Sequence, residues 1–300
     1  MAKTHLAVGG KVVAITGAAR GIGKATAIAL TRRGARVAIG DIDAELAQRT
    51  AEEIGSGCAA FPLDVTDRGS VNGFVDAVEE RLGPIDVMIN NAGIMPTVRF
   101  LDESEASIAR QLSINVMGVI NGMQAVIPRM LDRGDGHVIN IASTAGKVTV
   151  PGIATYTATK HAVVGLTGSV RGELRDTPVD LSVVMPVIVR TELTDGVPET
   201  RGLKSLQPED VAESIVEAIE TRRYEVWCPR STAGVYRFGV MLPLRASDTL
   251  GKIMKSDRAL LESIDSPDRR AYNRRIESLP TTSEAAPDTT EHELAESQTG

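Results

Sequence analysis

Cysteine, aromatic residues and long apolar runs are all scarce in this chain, and each shortage excludes a class of protein. The 300 residues include two cysteines, Cys58 and Cys228, which predicts a reducing compartment rather than a disulfide-stabilised scaffold. No apolar run reaches the ~18 residues of a membrane span, and the N-terminus lacks the apolar segment of a signal peptide. The formal net charge of −6 argues against nucleic-acid binding, which needs a basic face. We therefore expect a soluble, cytoplasmic protein.

Hydrophobic residues are plentiful, at 42% of the chain, so a full core can be buried. Over the first 230 residues, short apolar runs alternate with helical patterns, which is typical of a doubly wound α/β fold. We expect a seven-stranded parallel, Rossmann-type sheet with helices on both faces. The sequence predicts a nucleotide-binding and catalytic domain at 1–230, a helical C-terminal extension at 231–279 and a disordered acidic tail at 280–300. The predicted strands lie at about 12–16, 35–40, 58–63, 85–90, 136–142, 180–186 and 223–228.

Tyr156 and Lys160 stand four residues apart in a segment with a helical pattern, so they share one helix face. An ammonium close to a phenol favours the phenolate and can lower the pKa of the tyrosine by about 1–3 units. The pair therefore predicts a proton-transfer group that works near neutral pH. The alternative is a half-buried ring beside a solvated amine.

A glycine-rich loop follows the first predicted strand. The apolar run 11–15 leads into Thr16-Gly-Ala-Ala-Arg-Gly-Ile-Gly23, and a helical pattern then continues to Gly34. Glycines in such a loop let backbone N–H groups approach a pyrophosphate, and the positive end of the helix dipole favours the same anion. Strand, glycines and helix in this order predict a dinucleotide site; glycines kept only for packing are the alternative.

These motifs occur in an order that resembles the short-chain dehydrogenase/reductase family, over roughly residues 10–229. The residues that carry the resemblance are Thr16-Gly-x-x-x-Gly-x-Gly23, Asp64-Val65, Asn90-Asn-Ala-Gly93, Asn115, Ser143 and Tyr156-x-x-x-Lys160. The resemblance implies that Tyr156 is the general acid/base and that Ser143 orients and polarises the substrate oxygen. It also implies that Lys160 lowers the pKa of the tyrosine and holds the nicotinamide ribose, and that Asn115 anchors a proton-relay water.

Ser143 and Asn115 can also be judged without the resemblance. Ser143 follows the buried-strand pattern 137–141, so its hydroxyl should emerge at the carboxyl end of a parallel strand, where open α/β sheets bind ligands. A turn serine is the alternative.

Asn115 lies within the helical run 107–130, where asparagine is a poor helix former. Its apolar neighbours predict burial, and a buried amide needs hydrogen-bond partners.

The choice of cofactor depends on Asp41, which ends the second predicted strand 18 residues after Gly23. A carboxylate there accepts hydrogen bonds from the ribose hydroxyls and repels a 2′-phosphate, which favours NAD over NADP. Arg20 is the counter-signal, because it could meet a 2′-phosphate or could instead be a structural loop arginine. Asp64 is expected at the adenine edge, or alternatively as the cap of the next turn. The implied cofactor contacts are Gly17, Arg20, Gly21, Ile22, Gly23, Asp41, Asp64, Val65, Asn90, Ala92, Gly93, Tyr156, Lys160, Val189 and Thr191.

One departure from the family pattern follows the sixth predicted strand, where Val187 stands in place of the usual glycine. Valine does not readily adopt a positive φ, so a loop that needed this geometry would have to differ here. The resemblance still implies that the Val189 backbone and the Thr191 hydroxyl hold the nicotinamide carboxamide.

The residues expected around the substrate are apolar, which predicts a hydrophobic secondary alcohol or ketone. The expected lining consists of Ile94, Met95, Pro96, Ala145, Val150, Pro151, Ile188 and Leu193. We expect NAD-dependent alcohol/ketone interconversion without a metal. The alternatives are an NADPH-dependent carbonyl reductase and a non-catalytic nucleotide sensor on the same fold.

The extension after residue 230 has its own pattern. Five of the nine aromatic residues lie after residue 220, which predicts that this region packs against something. Cations at 245, 252, 255 and 258 alternate with apolar residues. This pattern predicts a helix docked on the body or on a partner subunit; a lid or a membrane-surface helix is the alternative. The long helices 104–130 and 155–175 are expected to pair with a second copy, giving a homodimer or homotetramer.

Overall fold

The seven predicted strands form one parallel sheet. The computed structural model describes residues 6–197, 205–234, 236 and 259–278. The strands are paired in the order β3-β2-β1-β4-β5-β6-β7, and every pair is parallel. This confirms the predicted fold class. Their bounds are β1 Val12–Thr16, β2 Arg36–Asp41, β3 Cys58–Pro62, β4 Val87–Asn90, β5 Gly136–Ile141, β6 Val179–Pro186 and β7 Glu225–Cys228.

Helices cover both faces of the sheet, because side chains alternate between the two faces along each strand. Val13 and Ile15 pack in the apolar layer with α1, α2 and α7, whereas Val12 and Ala14 pack with α3, α5 and α6. Among the described helices, none is long and apolar enough to cross a membrane. Their bounds are α1 Gly21–Thr31, α2 Ala44–Ile54, α3 Arg68–Leu82, α4 Glu105–Leu112, α5 Gly118–Arg133, α6 Ala154–Glu173, α7 Pro208–Thr221, α8 Ala259–Ser263 and α9 Pro267–Glu277.

The strand order reverses at β1, which has β2 on one side and β4 on the other. Open α/β sheets bind ligands outside the carboxyl ends of the strands at such a switch point. The glycine loop after β1 and the Asn90–Gly93 segment at the end of β4 both lie at this edge. The fold therefore brings two of the predicted motifs together.

The helix predicted at 107–130 is divided in the structure. A π turn, Ser113–Met117, lies between α4 and α5. The extra residue of a π turn is common at functional sites, because it redirects a side chain without ending the helix. Here the redirected side chain is that of Asn115, which is fully buried.

Val187 does not introduce a positive φ. Among the described residues, Arg222 is the non-glycine residue with that conformation. The N–H of Val187 donates to the carbonyl of Cys228 at 2.9 Å, which continues the pairing of β6 with β7. The chain after β6 therefore does not need the positive φ that valine would resist.

The C-terminal extension is described in part. Helices α8 and α9 dock on the body of the same chain, near the carboxyl ends of the strands. Four cations on which the sequence prediction relied, at 245, 252, 255 and 258, lie outside the described residues, as does the tail 280–300.

Candidate active site

The glycine loop is held by close backbone contacts. A Cβ on Gly17, whose φ is +63°, would lie 2.7 Å from Cα of Ala92, and one on Gly23 would lie 2.6 Å from the carbonyl oxygen of Gly17. Real Cβ atoms do not approach so closely. Both positions therefore require glycine, and the packing of Gly17 on Ala92 joins two predicted cofactor motifs.

Thr16 and Asn91 fasten this loop, although neither was among the predicted contact residues. The Thr16 hydroxyl accepts hydrogen bonds from the N–H groups of Asn91 and Ala92, each at 3.0 Å. The Asn91 amide donates to the carbonyls of Thr16 and Gly17 at 2.9 and 2.8 Å. Both residues lie within the quoted motifs, so the signal was present in the sequence.

The N-terminus of α1 fits a pyrophosphate. The first turn of α1, all of which is described, contains no acidic side chain, and its N-cap residue Arg20 makes no side-chain capping bond. The backbone N–H groups of this turn therefore have no capping acceptor, and the helix dipole favours an anion there. Together with the glycines, this geometry suits the phosphates of NAD or NADP.

Asp41 and Arg20 lie beside this loop in different environments. The Asp41 carboxylate is buried and accepts hydrogen bonds from the N–H groups of Ala19 at 3.0 Å and Asp43 at 3.1 Å. Arg20 forms ion pairs with Asp43 and Glu192, each at 2.9 Å. Burial opposes the charge of Arg20, but Glu192, Asp41 and Asp43 raise its pKa above the ordinary value. This geometry favours the structural interpretation of Arg20.

In the structure, Asp64 forms hydrogen bonds within the turn after β3. One carboxylate oxygen, Oδ1, accepts from the N–H and the hydroxyl of Thr66 at 2.8 and 2.7 Å, so Asp64 holds the turn that follows β3. The next residue, Val65, accepts a bond from Asn121 through its carbonyl. The contact of Asp64 and Val65 with adenine stays a prediction.

Four predicted catalytic residues converge near the ends of β4 and β5. The Lys160 ammonium donates to the Ile141 carbonyl at 2.9 Å and lies 5.6 Å from the centroid of the Tyr156 ring. The Ser143 side chain lies close enough to Tyr156 to lower the pKa of the phenol. Its hydroxyl oxygen accepts from the N–H of Ala145 at 3.1 Å, and the hydroxyl donates to the Pro186 carbonyl at 3.4 Å. Serine, tyrosine and lysine thus form one group.

Asn115 connects this group to the segment after β4. Its amide oxygen accepts from the N–H of Ile94 at 2.9 Å, and its amide nitrogen donates to the Ile94 carbonyl and the Thr159 hydroxyl at 3.0 and 3.1 Å. The predicted burial is confirmed. A Cβ on Gly93 would lie 3.2 Å from Oδ1 of Asn115 and 3.6 Å from Nζ of Lys160, so these three residues are neighbours.

The predicted direction of the Tyr156 pKa shift is wrong for this structure. Burial raises the pKa of Tyr156 above its ordinary value; the nearby Ser143 side chain lowers it by less, and Tyr272 raises it further. Burial lowers the pKa of Lys160 to about 8. The sequence argument considered the attraction between the two groups, whereas removal from water disfavours both charges and dominates here.

The expected substrate residues lie mostly beside Tyr156. Met95, Ala145, Val150 and Leu193 belong to one packed apolar cluster with the tyrosine ring. Ile94 lies in an adjoining cluster with Tyr272 and Ile276. Ile188 lines a cavity with Thr191 and Glu192, and Val197 in the same lining also packs against the Tyr156 cluster. The cluster also includes Leu260, which no motif indicated.

Val189 and Thr191 lie in the segment after β6, and Thr191 in this segment reaches the glycine loop. A Cβ on Gly21 would lie 3.5 Å from the methyl group of Thr191, so Gly21 and Thr191, both predicted to contact the cofactor, are adjacent. The Val189 carbonyl accepts a bond from the Thr194 hydroxyl at 2.5 Å. Contacts of either residue with a nicotinamide stay predictions.

Comparisons with known proteins agree with this geometry. The family model described as short chain dehydrogenase matches residues 11–202. Sorbitol dehydrogenase of Cereibacter sphaeroides is 42% identical over 189 residues, covering 63% of this chain and 74% of that protein. The 17-beta-hydroxysteroid dehydrogenase 13 of Mus musculus is 31% identical over 228 residues, covering 74% of this chain and 75% of that protein. The crystal structure of a short chain dehydrogenase/reductase from Burkholderia phymatum in complex with NAD has a TM-score of 0.72 and 29% identity, covering 77% of this chain and 93% of that one.

Proposed function

Because this chain belongs to the short-chain dehydrogenase family of oxidoreductases, we propose that it interconverts a hydrophobic secondary alcohol and the corresponding ketone with NAD. The observation that carries this proposal is the convergence of Ser143, Tyr156 and Lys160 beside an apolar cluster, at the edge of the sheet that carries the glycine loop. A nucleotide sensor would not need a buried phenol held in this way.

The protein side of the reaction follows from these contacts. The Ser143 hydroxyl holds the substrate oxygen, and the Tyr156 hydroxyl exchanges a proton with that oxygen. Bound NAD supplies the hydride acceptor in oxidation, and NADH supplies the donor in reduction. Because burial raises the pKa of Tyr156, the phenol is protonated at neutral pH and is ready to protonate a ketone. Oxidation in this site needs the phenolate and is therefore favoured at higher pH.

Two observations support NAD over NADP. The Asp41 carboxylate is buried at the end of β2 and bonded to the loop backbone, where a 2′-phosphate would meet a like charge. Arg20 is already paired with two carboxylates and would have to leave them to bind a phosphate. The solved neighbour described above contains NAD. An NADPH-dependent carbonyl reductase remains the alternative, and its sequence signal is Arg20.

The substrate class is supported by the residues around Tyr156. The side chains of Met95, Ala145, Leu193 and Leu260 provide no hydrogen-bonding groups for a second hydroxyl of the substrate. One relative is a sorbitol dehydrogenase, which makes a polyol the second candidate. A polyol in this cluster would lose its hydrogen bonds to water without replacement, so the hydrophobic alcohol is favoured.

Turnover across a panel of alcohols tests this function. Long-chain secondary alcohols, aryl alkyl carbinols, a hydroxysteroid and sorbitol would each be assayed with NAD⁺ and with NADP⁺ by the absorbance of the reduced cofactor. We expect a hydrophobic alcohol with NAD⁺ to give the highest kcat/KM, and Tyr156→Phe to abolish that activity. A preference for sorbitol would contradict the proposed substrate class. A preference for NADP⁺ would contradict the proposed cofactor.

We also infer that the protein assembles as a homodimer or homotetramer. Leu112, which ends α4, and Met117, which directly precedes α5, are 46% and 47% exposed, which is high for large apolar side chains. A two-fold interface through α4, α5 and α6 would cover them. Light scattering should give a multiple of the chain mass, and Leu112→Asp combined with Met117→Asp should reduce it. A wild-type protein with the mass of one chain would contradict this inference.

A further inference from the structure

The C-terminal segment, defined as residues 259–278, packs beside Tyr156 and Ile94 through Leu260 and Tyr272. We propose that Arg269 fastens this segment as a wall of the substrate pocket, and that Leu260 and Tyr272 in the wall determine which substrates reach Tyr156. The kinetic part of the proposal rests on the proposed function, whereas the fastening by Arg269 can be tested without it.

Arg269 is the strongest fastening. Its side chain is fully buried, with 0% exposure. The guanidinium donates to the carbonyls of Met95 at 2.6 Å and Leu193 at 2.7 Å, and to the Thr97 hydroxyl at 2.5 Å. These acceptors come from two separate loops, after β4 and after β6. Separating a buried guanidinium from its acceptors would leave its charge without hydrogen bonds, so this contact is retained only while both loops and α9 stay together.

Further polar contacts act along the length of α9. The Tyr272 hydroxyl oxygen accepts from the N–H of Met95 at 3.2 Å, and the Asn273 amide donates to the Thr97 carbonyl at 3.2 Å. At the end of α9, Arg110 donates to the Glu277 carbonyl at 3.2 Å. Arg275 forms an ion pair with Glu192. The helix is therefore held to the body at its beginning, middle and end.

The body of the protein leaves room for the segment at two glycines. A Cβ on Gly196, whose φ is +75°, would lie 2.6 Å from Oγ of Ser266 and 3.2 Å from Cγ of Arg269. A Cβ on Gly152 would lie 3.4 Å from Cδ2 of Leu261. At both glycines the segment leaves little or no room for a side chain on the body, so the two surfaces are complementary there.

The wall lies directly beside the reacting groups. Leu260 belongs to the same apolar cluster as Tyr156 and Met95, and Tyr272 packs with Ile94, whose backbone bonds to Asn115. Tyr156 is only 7% exposed. A substrate must therefore fit between the tyrosine and the wall, or displace part of the wall, and the volume of these side chains limits its size.

Arg269→Met tests the fastening, because it keeps the length and apolar stem of the side chain and removes every donor. We expect the KM for the best hydrophobic alcohol to rise at least about tenfold, equivalent to about 1.4 kcal/mol, with a smaller change in kcat and unchanged affinity for NADH. Arg269→Lys should recover part of the loss. Arg270→Met is the matched control, since Arg270 is the next residue on α9 and is exposed; it should behave as wild type.

Leu260→Ala tests specificity with less risk to folding. It should raise kcat/KM for alcohols too bulky for the wild type and lower it for compact ones. An unchanged ranking of substrates by size in Leu260→Ala would show that the wall does not select the substrate.

Hydrogen exchange tests the fastening without any substrate. The Met95 amide should exchange faster in Tyr272→Phe, which lacks its acceptor, and residues 259–278 should lose protection in Arg269→Met but not in Arg270→Met. If no alcohol is turned over but these changes occur, the proposed function fails and the fastening stands. If Arg269→Met and Arg270→Met show equal exchange and equal KM, the proposal is overturned.

Discussion

The two sides of the site are built in different ways. On the cofactor side, short motifs provide the binding backbone: the Ala19 N–H bonds to Asp41, 22 residues away, and distant contacts such as Thr16 with Asn91, 75 residues away, join one motif to another. On the substrate side, the contact of Arg269 with Met95 spans 174 residues. The difference teaches that the cofactor side joins motifs that can each be recognised in the sequence, whereas the substrate wall depends on the docking of a distant helix that no motif marks.

The largest expected effect comes from a substitution of Tyr156, which lies where the cofactor side and the substrate side meet. Tyr156→Phe removes the proton-transfer group but keeps the ring in its apolar cluster. General acid/base catalysis contributes roughly 10²–10⁴ in rate, so we expect kcat to fall by that amount while the affinity for NADH, measured by fluorescence titration, is unchanged. Tyr224→Phe is the control and should retain activity. Near-wild-type kcat in Tyr156→Phe would remove Tyr156 from the chemistry.

The sequence predicted the strand and glycine loop of the cofactor side but not the docking of residues 259–278, and the reason is physical. Bounds 12–16 for β1 were correct, since apolar β-branched runs and glycines act locally. The burial of Arg269 could not be read from Ser266-Pro-Asp-Arg-Arg270, which resembles the start of any solvated helix. Spacing did contain part of the signal: Arg269, Tyr272 and Ile276 share one helix face. What buries that face is the folded body, which local patterns do not describe.

The pKa shift of Tyr156 shows the same limit. Spacing correctly brought Lys160 near the ring, but the depth of burial decided the direction of the shift. Burial is a property of the whole fold, including Leu260 and Tyr272 from the C-terminal segment.

The pH dependence of the two reaction directions tests this account of burial. Because the pKa of Tyr156 is raised, the phenolate needed for oxidation is a minor form at neutral pH. We expect kcat/KM for alcohol oxidation to rise with pH, approaching about tenfold per pH unit below that pKa. Ketone reduction should be flat at neutral pH. Stopped-flow rates for both directions across the stable pH range would check this, and an oxidation rate that is flat from neutral to alkaline pH would contradict it.

Asp41 gives a prediction confined to the cofactor side. Asp41→Ser removes the carboxylate that a 2′-phosphate would face, so we expect the ratio of kcat/KM for NAD⁺ over NADP⁺ to fall at least about tenfold, or about 1.4 kcal/mol. The KM for the alcohol should not change if the two sides are independent. Glu45→Ser alters the net charge equally at a nearby exposed position and serves as the control. A wild-type preference for NADP⁺ would show that Arg20 selects the cofactor.

A pair of glycine substitutions gives the smallest expected effect, and it is confined to the wall. Gly196→Ala introduces a Cβ with a positive φ against Ser266, which should cost about 1 kcal/mol or more and loosen residues 259–278. Gly73→Ala, in α3 with no atom within 4 Å of the added Cβ, should instead stabilise the protein by about 0.4–1 kcal/mol. Chemical denaturation and limited proteolysis would measure both. Equal effects of the two substitutions would mean that the wall does not press on Gly196.

The most direct test of the whole account is a crystal structure of the protein with NADH and the ketone of its best hydrophobic alcohol. We predict the ketone oxygen within about 2.6–3.2 Å of both the Tyr156 and Ser143 hydroxyls, with the rest of the ketone against Leu260 and Tyr272 and the Arg269 contacts intact. A ketone bound away from Tyr156, or a complex in which residues 259–278 do not touch it, would contradict the account.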